Sequence, residues 1–125
     1  MSRDVGDRLD DVIRACGVIR AYVDDDALPE GLVYDAVRMR LVEIGEAVRM
    51  LPSAVTSTEP SIPWSRVSLL GERLTRRYFD TTPAVVFGTA RVDVPSLCEA
   101  VHRLRAAHAA RGDRRGAAGA VDPTQ

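Results

Sequence analysis

The chain has 125 residues, of which 46% are hydrophobic, and a formal net charge of −1. This length sets a limit of one domain, and the apolar fraction excludes an intrinsically disordered chain. No segment reaches the roughly 18 apolar residues that would cross a bilayer, and the first residues lack a signal-peptide pattern, so we expect a cytoplasmic protein without a membrane partner.

Two long amphipathic helices are predicted in the first half of the chain. The first runs from Ser2 or Asp4 to about Asp24, because three consecutive aspartates are unfavourable at a helix C-terminus. The second begins at Pro29, which suits a first helical turn, and runs to about Leu51. Apolar residues at spacings of three and four place one face of each helix in the core: Val5, Leu9, Val12, Cys16, Ile19 and Val23, then Val33, Val37, Leu41, Ile44 and Val48.

Two further helices and a short element are predicted in the second half. Residues 52–63 contain three prolines and form a loop, and a third helix then runs from Pro63 or Trp64 to about Phe79. Residues 84–90 form a short helix or turn, because a lone strand would have no partner. Asp93 is the predicted N-cap of a last helix that ends near Arg111.

Together these elements predict an all-α protein, an antiparallel four-helix bundle with a short extra helix. Residues 1–111 would form the helical domain, and residues 112–125 a disordered C-terminal tail rich in Gly, Ala, Arg and Asp. Gly45 lies inside the second predicted helix, where Gly costs about 1 kcal/mol relative to Ala. Its presence there indicates close packing of another helix.

Charge is unevenly distributed along the chain. Residues 1–60 contain seven Arg and twelve acidic residues, whereas residues 61–125 contain ten Arg and six acidic residues. All 17 basic residues are Arg, whose planar guanidinium suits bidentate phosphate contacts. The basic second half is compatible with an anionic ligand, with self-complementary pairing of two copies, or with ordinary solvated helix faces.

Few residues could perform chemistry on their own. Cys16 and Cys98 are expected to be buried free thiols, because both fall on predicted apolar stripes. His102 and His108 are six residues apart on one helix, about 600° of rotation, so they point to well-separated faces and form no metal pair. Without a zinc spacing, a phosphate loop or a nucleophile elbow, we expect neither a metal nor a cofactor.

Four segments, taken together, resemble signatures of HepT-like proteins, a branch of the HEPN ribonuclease superfamily. They follow the family's order and spacing over roughly residues 5–105: Asp35-Ala36-Val37, Ile44-Gly45-Glu46-Ala47, Ile62-Pro63-Trp64 and Asp93-Val94-Pro95-Ser96-Leu97. The resemblance implies an all-α bundle that pairs as a homodimer and cuts RNA at the cleft between protomers. It also implies a metal-independent reaction, in which the ribose 2′-hydroxyl attacks the adjacent phosphate.

The helix that carries the family's motif is altered in this chain. Family members carry Arg-Asn, then His, one further residue and Tyr. Tyr78 lies fourteen residues after Trp64, which is the spacing of the motif Tyr in the family. This alignment puts Arg76 at the position of the family's His and Gly71-Glu72 at the positions of its Arg-Asn pair. An Arg stays protonated near neutral pH and cannot move a proton, and losing a general acid–base typically costs about 10²–10⁴-fold in rate.

The resemblance assigns roles to five residues of this region. Arg73, as a shifted cation, Arg76 and Tyr78 are the candidate catalytic residues, and Arg66 and Arg77 are candidate RNA contacts. In the family, an MNT-type nucleotidyltransferase antitoxin silences the toxin by attaching AMP to the motif Tyr, so Tyr78 is also the candidate AMPylation site. The competing interpretation is that Tyr78 simply packs at the end of the bundle.

Two functions therefore remain open. The first is a HepT-like ribonuclease toxin of a type VII toxin–antitoxin system, with a degenerate motif and weak or absent nuclease activity. The second is a catalytically inactive, dimeric interaction subunit that binds a nucleotidyltransferase-type partner. A simple RNA-binding module is disfavoured, because the chain has only 5% aromatic residues for base stacking.

Overall fold

The computed structural model describes residues 4–76 and 81–121, with side chains described as far as residue 114. Helices follow one another without a strand in these ranges. Their bounds are α1 Val5–Val23, α2 Glu30–Arg49, α3 Ser53–Thr56, α4 Trp64–Arg76, α5 Pro83–Gly88, a π-helical turn Thr89–Asp93, and α6 Val94–Val121. The predicted all-α helical bundle is confirmed, whereas pairing as a homodimer stays a prediction.

The core lies between the long helices, where the predicted apolar stripes meet. Helix α2 packs against α1 on one side and α4 on the other, and α6 packs along α1. Full burial of a large aliphatic side chain contributes about 1.5–3 kcal/mol, so these residues supply much of the fold's stability. The largest fully buried side chains are those of Leu9, Val12, Cys16, Ile19, Val37, Ile44, Leu74, Val86, Val94 and Val101.

Two glycines form the crossing point of α2 and α4. A Cβ atom placed on Gly71 would lie 2.9 Å from the Cα atom of Gly45 and 3.1 Å from the carbonyl oxygen of Leu41. A Cβ on Gly45 would meet the Cα atom of Gly71 at the same 2.9 Å. The close packing predicted for Gly45 is thus present, and its partner is a glycine on the opposite helix. This contact fixes which sides of α4 face outward.

The start of α4 is anchored to α6. The indole Nε1 of Trp64 donates a hydrogen bond to the carbonyl oxygen of Glu59 at 3.0 Å. The Glu59 carboxylate in turn accepts hydrogen bonds from Nε and Nη2 of Arg103, at 3.0 and 2.8 Å. These bonds hold the chain entering α4 against a helix far away in sequence, and the Arg103 guanidinium lowers the pKa of the Glu59 carboxyl.

The prediction that Asp93 is the N-cap of the last helix is wrong. Asp93 ends the π-helical turn that joins α5 to α6. The N-cap lies before α5 instead: it is Thr82, whose hydroxyl accepts a hydrogen bond from the Val85 N–H at 3.3 Å. Pro95 explains the π turn, because its ring lacks an N–H and would clash with the carbonyl group four residues earlier in an ordinary α-helix. The wider turn, in which the Val94 N–H bonds to the Thr89 carbonyl, removes that conflict.

The last helix is longer than the sequence pattern predicts. Its backbone continues to Val121, whereas the predicted end was near Arg111. The extra residues include several alanines, the best helix formers, which favours helical backbone here. Residues 111–114 are exposed, and the domain boundary at residue 111 stays a prediction. None of the helices in the described ranges is long and apolar enough to cross a membrane.

Candidate active site on helix α4

Arg66, a predicted RNA contact, and Arg73, a predicted catalytic residue, lie on the same side of α4. They are seven residues apart, two helical turns or about 10 Å along the axis. Both line a cavity of about 300 Å³ between α4 on one side and α5 with the π turn on the other, here called the α4–α5 groove. The described residues that line it are Pro63, Arg66, Val67, Leu69, Leu70, Arg73, Val85, Thr89 and Asp93.

The facing wall of the α4–α5 groove carries the one acidic group among its described lining residues. Asp93 is half-buried and makes no hydrogen bond or ion pair with any described residue. The neighbouring Thr89 hydroxyl is already engaged, donating to the Val85 carbonyl oxygen at 2.9 Å. The groove therefore combines two cations, an unpaired carboxylate and an apolar floor.

Arg76 lies in a different groove, although its three-residue spacing from Arg73 predicts a shared face. This second cavity, the α2–α4 groove, has a volume of about 430 Å³ and is also lined by Arg49, Glu46 and Glu72. Arg76 pairs with Glu72 on its own helix at 3.2 Å, and Arg49 pairs with Glu46 at 2.9 Å. The structure thus separates Arg73 and Arg76 and brings Arg76 beside Arg49, which sequence reasoning had not singled out.

Gly71, the position predicted to correspond to the family's motif Arg, is buried in this chain. It sits in the contact with Gly45, and a side chain there would strike backbone atoms of α2. The alteration of the motif itself stays a prediction. Arg77 and Tyr78 lie outside the described residues, so their predicted roles in RNA contact, catalysis and AMPylation stay predictions.

The other reactive side chains are placed away from both grooves. His102 is exposed on α6, and the ring of His108 packs beside Gly6 at the start of α1. Burial, together with neighbouring Cys98, raises the pKa of the Cys16 thiol to about 12, so this thiol is protonated at neutral pH. Within residues 4–76 and 81–121, no group of three or more His, Cys, Asp or Glu side chains could hold a metal ion.

This arrangement can hold and stabilise an anion. Guanidinium groups that line a partly apolar cavity suit a phosphate, because they stay charged and offer several fixed donors. Arg76 cannot supply proton transfer, and the imidazole groups of the described chain line neither groove. Of the sequence-predicted set, Arg66 and Arg73 meet in one cavity. Asp93 was predicted only as an N-cap, and a Pro two residues after an N-cap is well tolerated in a first helical turn, so no local signal in the sequence indicated its place in the groove.

Comparison with known proteins identifies the family of this chain. The sequence model of the family described as Ribonuclease HepT-like matches residues 12–104. A protein of Thermococcus cleftensis named as a probable ribonuclease HepT is 29% identical over 109 residues, covering 84% of this chain and 99% of the relative. No solved structure matches this chain at a significant level.

Two relatives from Methanocaldococcus jannaschii are more distant. One is named both as a gamma-glutamylcyclotransferase and as a candidate RNase; it is 27% identical over 108 residues, and the match covers 83% of this chain but 49% of the relative. The other, named as a candidate RNase, is 24% identical over 99 residues, with 76% of this chain and 85% of the relative covered. With the family model matching most of its length, the chain belongs to the HepT-like ribonuclease family.

Proposed function

We propose that this protein is a HepT-like ribonuclease that cleaves RNA without a metal and serves as the toxin of a toxin–antitoxin pair. The observation that carries the proposal is the placement of Arg66 and Arg73 along one groove of the motif helix. The names of the relatives support the ribonuclease part, since all three refer to RNA cleavage.

In the proposed reaction, Arg66 and Arg73 hold the scissile phosphate and stabilise the negative charge that develops on it. The ribose 2′-hydroxyl attacks the phosphorus, the bond to the 5′-oxygen breaks, and the products are a 2′,3′-cyclic phosphate and a 5′-hydroxyl. Fixed donors aimed at such a charge are each worth about 10²–10³-fold in rate. Because Arg76 stands where the family has His, we expect slower cleavage than a complete motif would give.

The cleavage proposal is tested with purified protein and a fluorescent RNA oligonucleotide in the presence of EDTA. We expect slow cleavage by the parent and a loss of about 10²-fold in the Arg73→Ala variant. Arg14→Ala is the matched control, because Arg14 is an exposed arginine on α1 and lines neither groove of α4. Equal rates for the parent and Arg73→Ala would remove the α4–α5 groove from the reaction.

The proposed regulation is transfer of AMP to Tyr78 by a nucleotidyltransferase antitoxin. Arg76 supports this proposal, since a guanidinium two residues from the acceptor could hold nucleotide phosphates. The test is incubation with ATP and the nucleotidyltransferase encoded beside this gene, followed by mass spectrometry. We expect one added AMP on the parent and none on Tyr78→Phe, and modification of both proteins would place the acceptor elsewhere.

A second candidate function is a catalytically inactive, dimeric subunit that binds a nucleotidyltransferase-type partner. It is favoured by the buried Gly71, which leaves no room for the family's motif Arg, and by Arg76 at the His position. The exposed apolar Leu69 beside the α4–α5 groove, 62% accessible, would be a suitable contact for a second copy. This candidate predicts a dimer in sedimentation and a stable partner complex, with neither RNA cleavage nor growth arrest on expression.

A further inference from the structure

We propose that Asp93 is the proton acceptor for RNA cleavage in the α4–α5 groove and takes over the task of the missing histidine. This inference rests on the ribonuclease function proposed above and assigns a further residue to that site. It starts from the position of Asp93 at the end of the π turn, which the N-cap interpretation of the sequence did not foresee.

The first argument is placement. Asp93 lines the same cavity as Arg66 and Arg73 but from the opposite wall, so a phosphodiester held by the two arginines would lie between the two walls. The π turn Thr89–Asp93 sets this placement, because it directly precedes α6 and continues the helical backbone from α5 through Asp93. Such turns are frequently found at functional sites.

The second argument is that the carboxylate is available. Asp93 is half-buried, yet it makes no hydrogen bond or ion pair with any described residue. Other carboxylates near α4 are already engaged, Glu72 with Arg76 and Glu59 with Arg103. A carboxylate that no described residue engages keeps its lone pairs open to a ligand.

The third argument is elimination within the groove. Among its described lining residues, the other charged groups are Arg66 and Arg73, and a guanidinium group offers donors but no acceptor. Thr89 offers only a hydroxyl, which is bonded to Val85. Behind Asp93, α2 and α6 contribute apolar side chains such as Ile44 and Leu97. Among the described lining residues, Asp93 is the one that offers a carboxylate to accept a proton.

The chemical step balances without a further reactant. The Asp93 carboxylate takes the proton of the ribose 2′-hydroxyl as the oxygen attacks phosphorus, and the bond from phosphorus to the 5′-oxygen breaks. The departing 5′-oxygen takes a proton from water. The carboxylic acid then releases its proton to solvent, which restores the starting state of the protein.

The test compares Asp93→Asn with the parent on the fluorescent RNA in EDTA. Asn has nearly the same shape but cannot accept the proton, so we expect kcat to fall by about 10²-fold or more. RNA affinity should be unchanged or higher, because a negative charge beside two arginines is removed.

Two further variants make the test decisive. Glu99→Gln removes an exposed carboxylate of α6 outside the groove and should cleave like the parent. Asp93→Glu keeps a carboxylate and serves as the test if Asp93→Asn fails to fold. Cleavage of RNA by Asp93→Glu would then support the role of Asp93. A folded Asp93→Glu variant that no longer cleaves RNA would overturn that role.

The remaining outcomes separate the two proposals. A parent that cleaves RNA together with an equally fast Asp93→Asn overturns the role of Asp93 alone. A parent that cleaves no RNA overturns the ribonuclease function and the role of Asp93 together.

Discussion

Replacing Gly71 with Ala should separate α2 from α4 and destabilise the protein. The new Cβ atom would lie 2.9 Å from the Cα atom of Gly45 and 3.1 Å from the Leu41 carbonyl oxygen, well inside the usual 3.5–4.0 Å separation of carbon atoms. Both neighbours are backbone atoms, so the clash is relieved only if the helices move apart. Overpacking typically costs about 1–3 kcal/mol, and a clash against two backbone atoms falls in the upper part of that range, about 2–3 kcal/mol, whereas better helix propensity returns about 1 kcal/mol.

We therefore expect Gly71→Ala to lose about 1–2 kcal/mol of unfolding free energy, with a drop in Tm of roughly 3–10 °C. Gly17→Ala is the matched control, because Gly17 lies inside α1 with no atom within 4 Å of an added Cβ. It should gain up to about 1 kcal/mol. Urea unfolding followed by circular dichroism measures all three proteins, and a Gly71→Ala variant at least as stable as the parent would refute the close crossing.

Two more predictions concern thiol reactivity and acid stability. Cys16 and Cys98 should react with a thiol reagent at pH 8 only after unfolding, because both are buried and the pKa of Cys16 is raised to about 12; rapid reaction of the native protein would contradict this placement. Arg103 lowers the pKa of the Glu59 carboxyl below its ordinary 4.5, so the stability from this pair is complete above pH 4.5 and is lost as the pH falls through the lower, folded value. Glu59→Gln should therefore flatten the fall in unfolding free energy between pH 5 and pH 3, and an unchanged slope would show that the pair contributes nothing.

Much of the fold could be predicted because its signals are local. Apolar residues at helical spacing, together with Pro29 and the aspartates near Asp24, fixed α1 and α2 to within about two residues. Gly45 indicated a close helix contact, but its partner could not be deduced. Gly71 contacts Gly45 only once α2 and α4 are packed together, and residues of two helices that are distant in sequence determine that packing.

The candidate site was harder to predict, because it depends on how α4 is rotated. Spacing alone puts Arg73 and Arg76 within 60° of each other around the helix. Burial of Gly71 and Leu74 turns the helix so that the boundary between two grooves falls between the arginines. Asp93 was misassigned for a related reason, since its strong preference for N-caps was overridden by the π turn before Pro95.

The central claim is that the α4–α5 groove supports metal-independent cleavage of RNA. The most direct measurement is the chemical identity of the RNA ends that the purified protein produces in EDTA. The account predicts 2′,3′-cyclic phosphate and 5′-hydroxyl ends from the parent and from Arg14→Ala, and about 10²-fold less product from Arg73→Ala. Intact RNA after incubation with the parent, or products with 3′-hydroxyl ends, would contradict it.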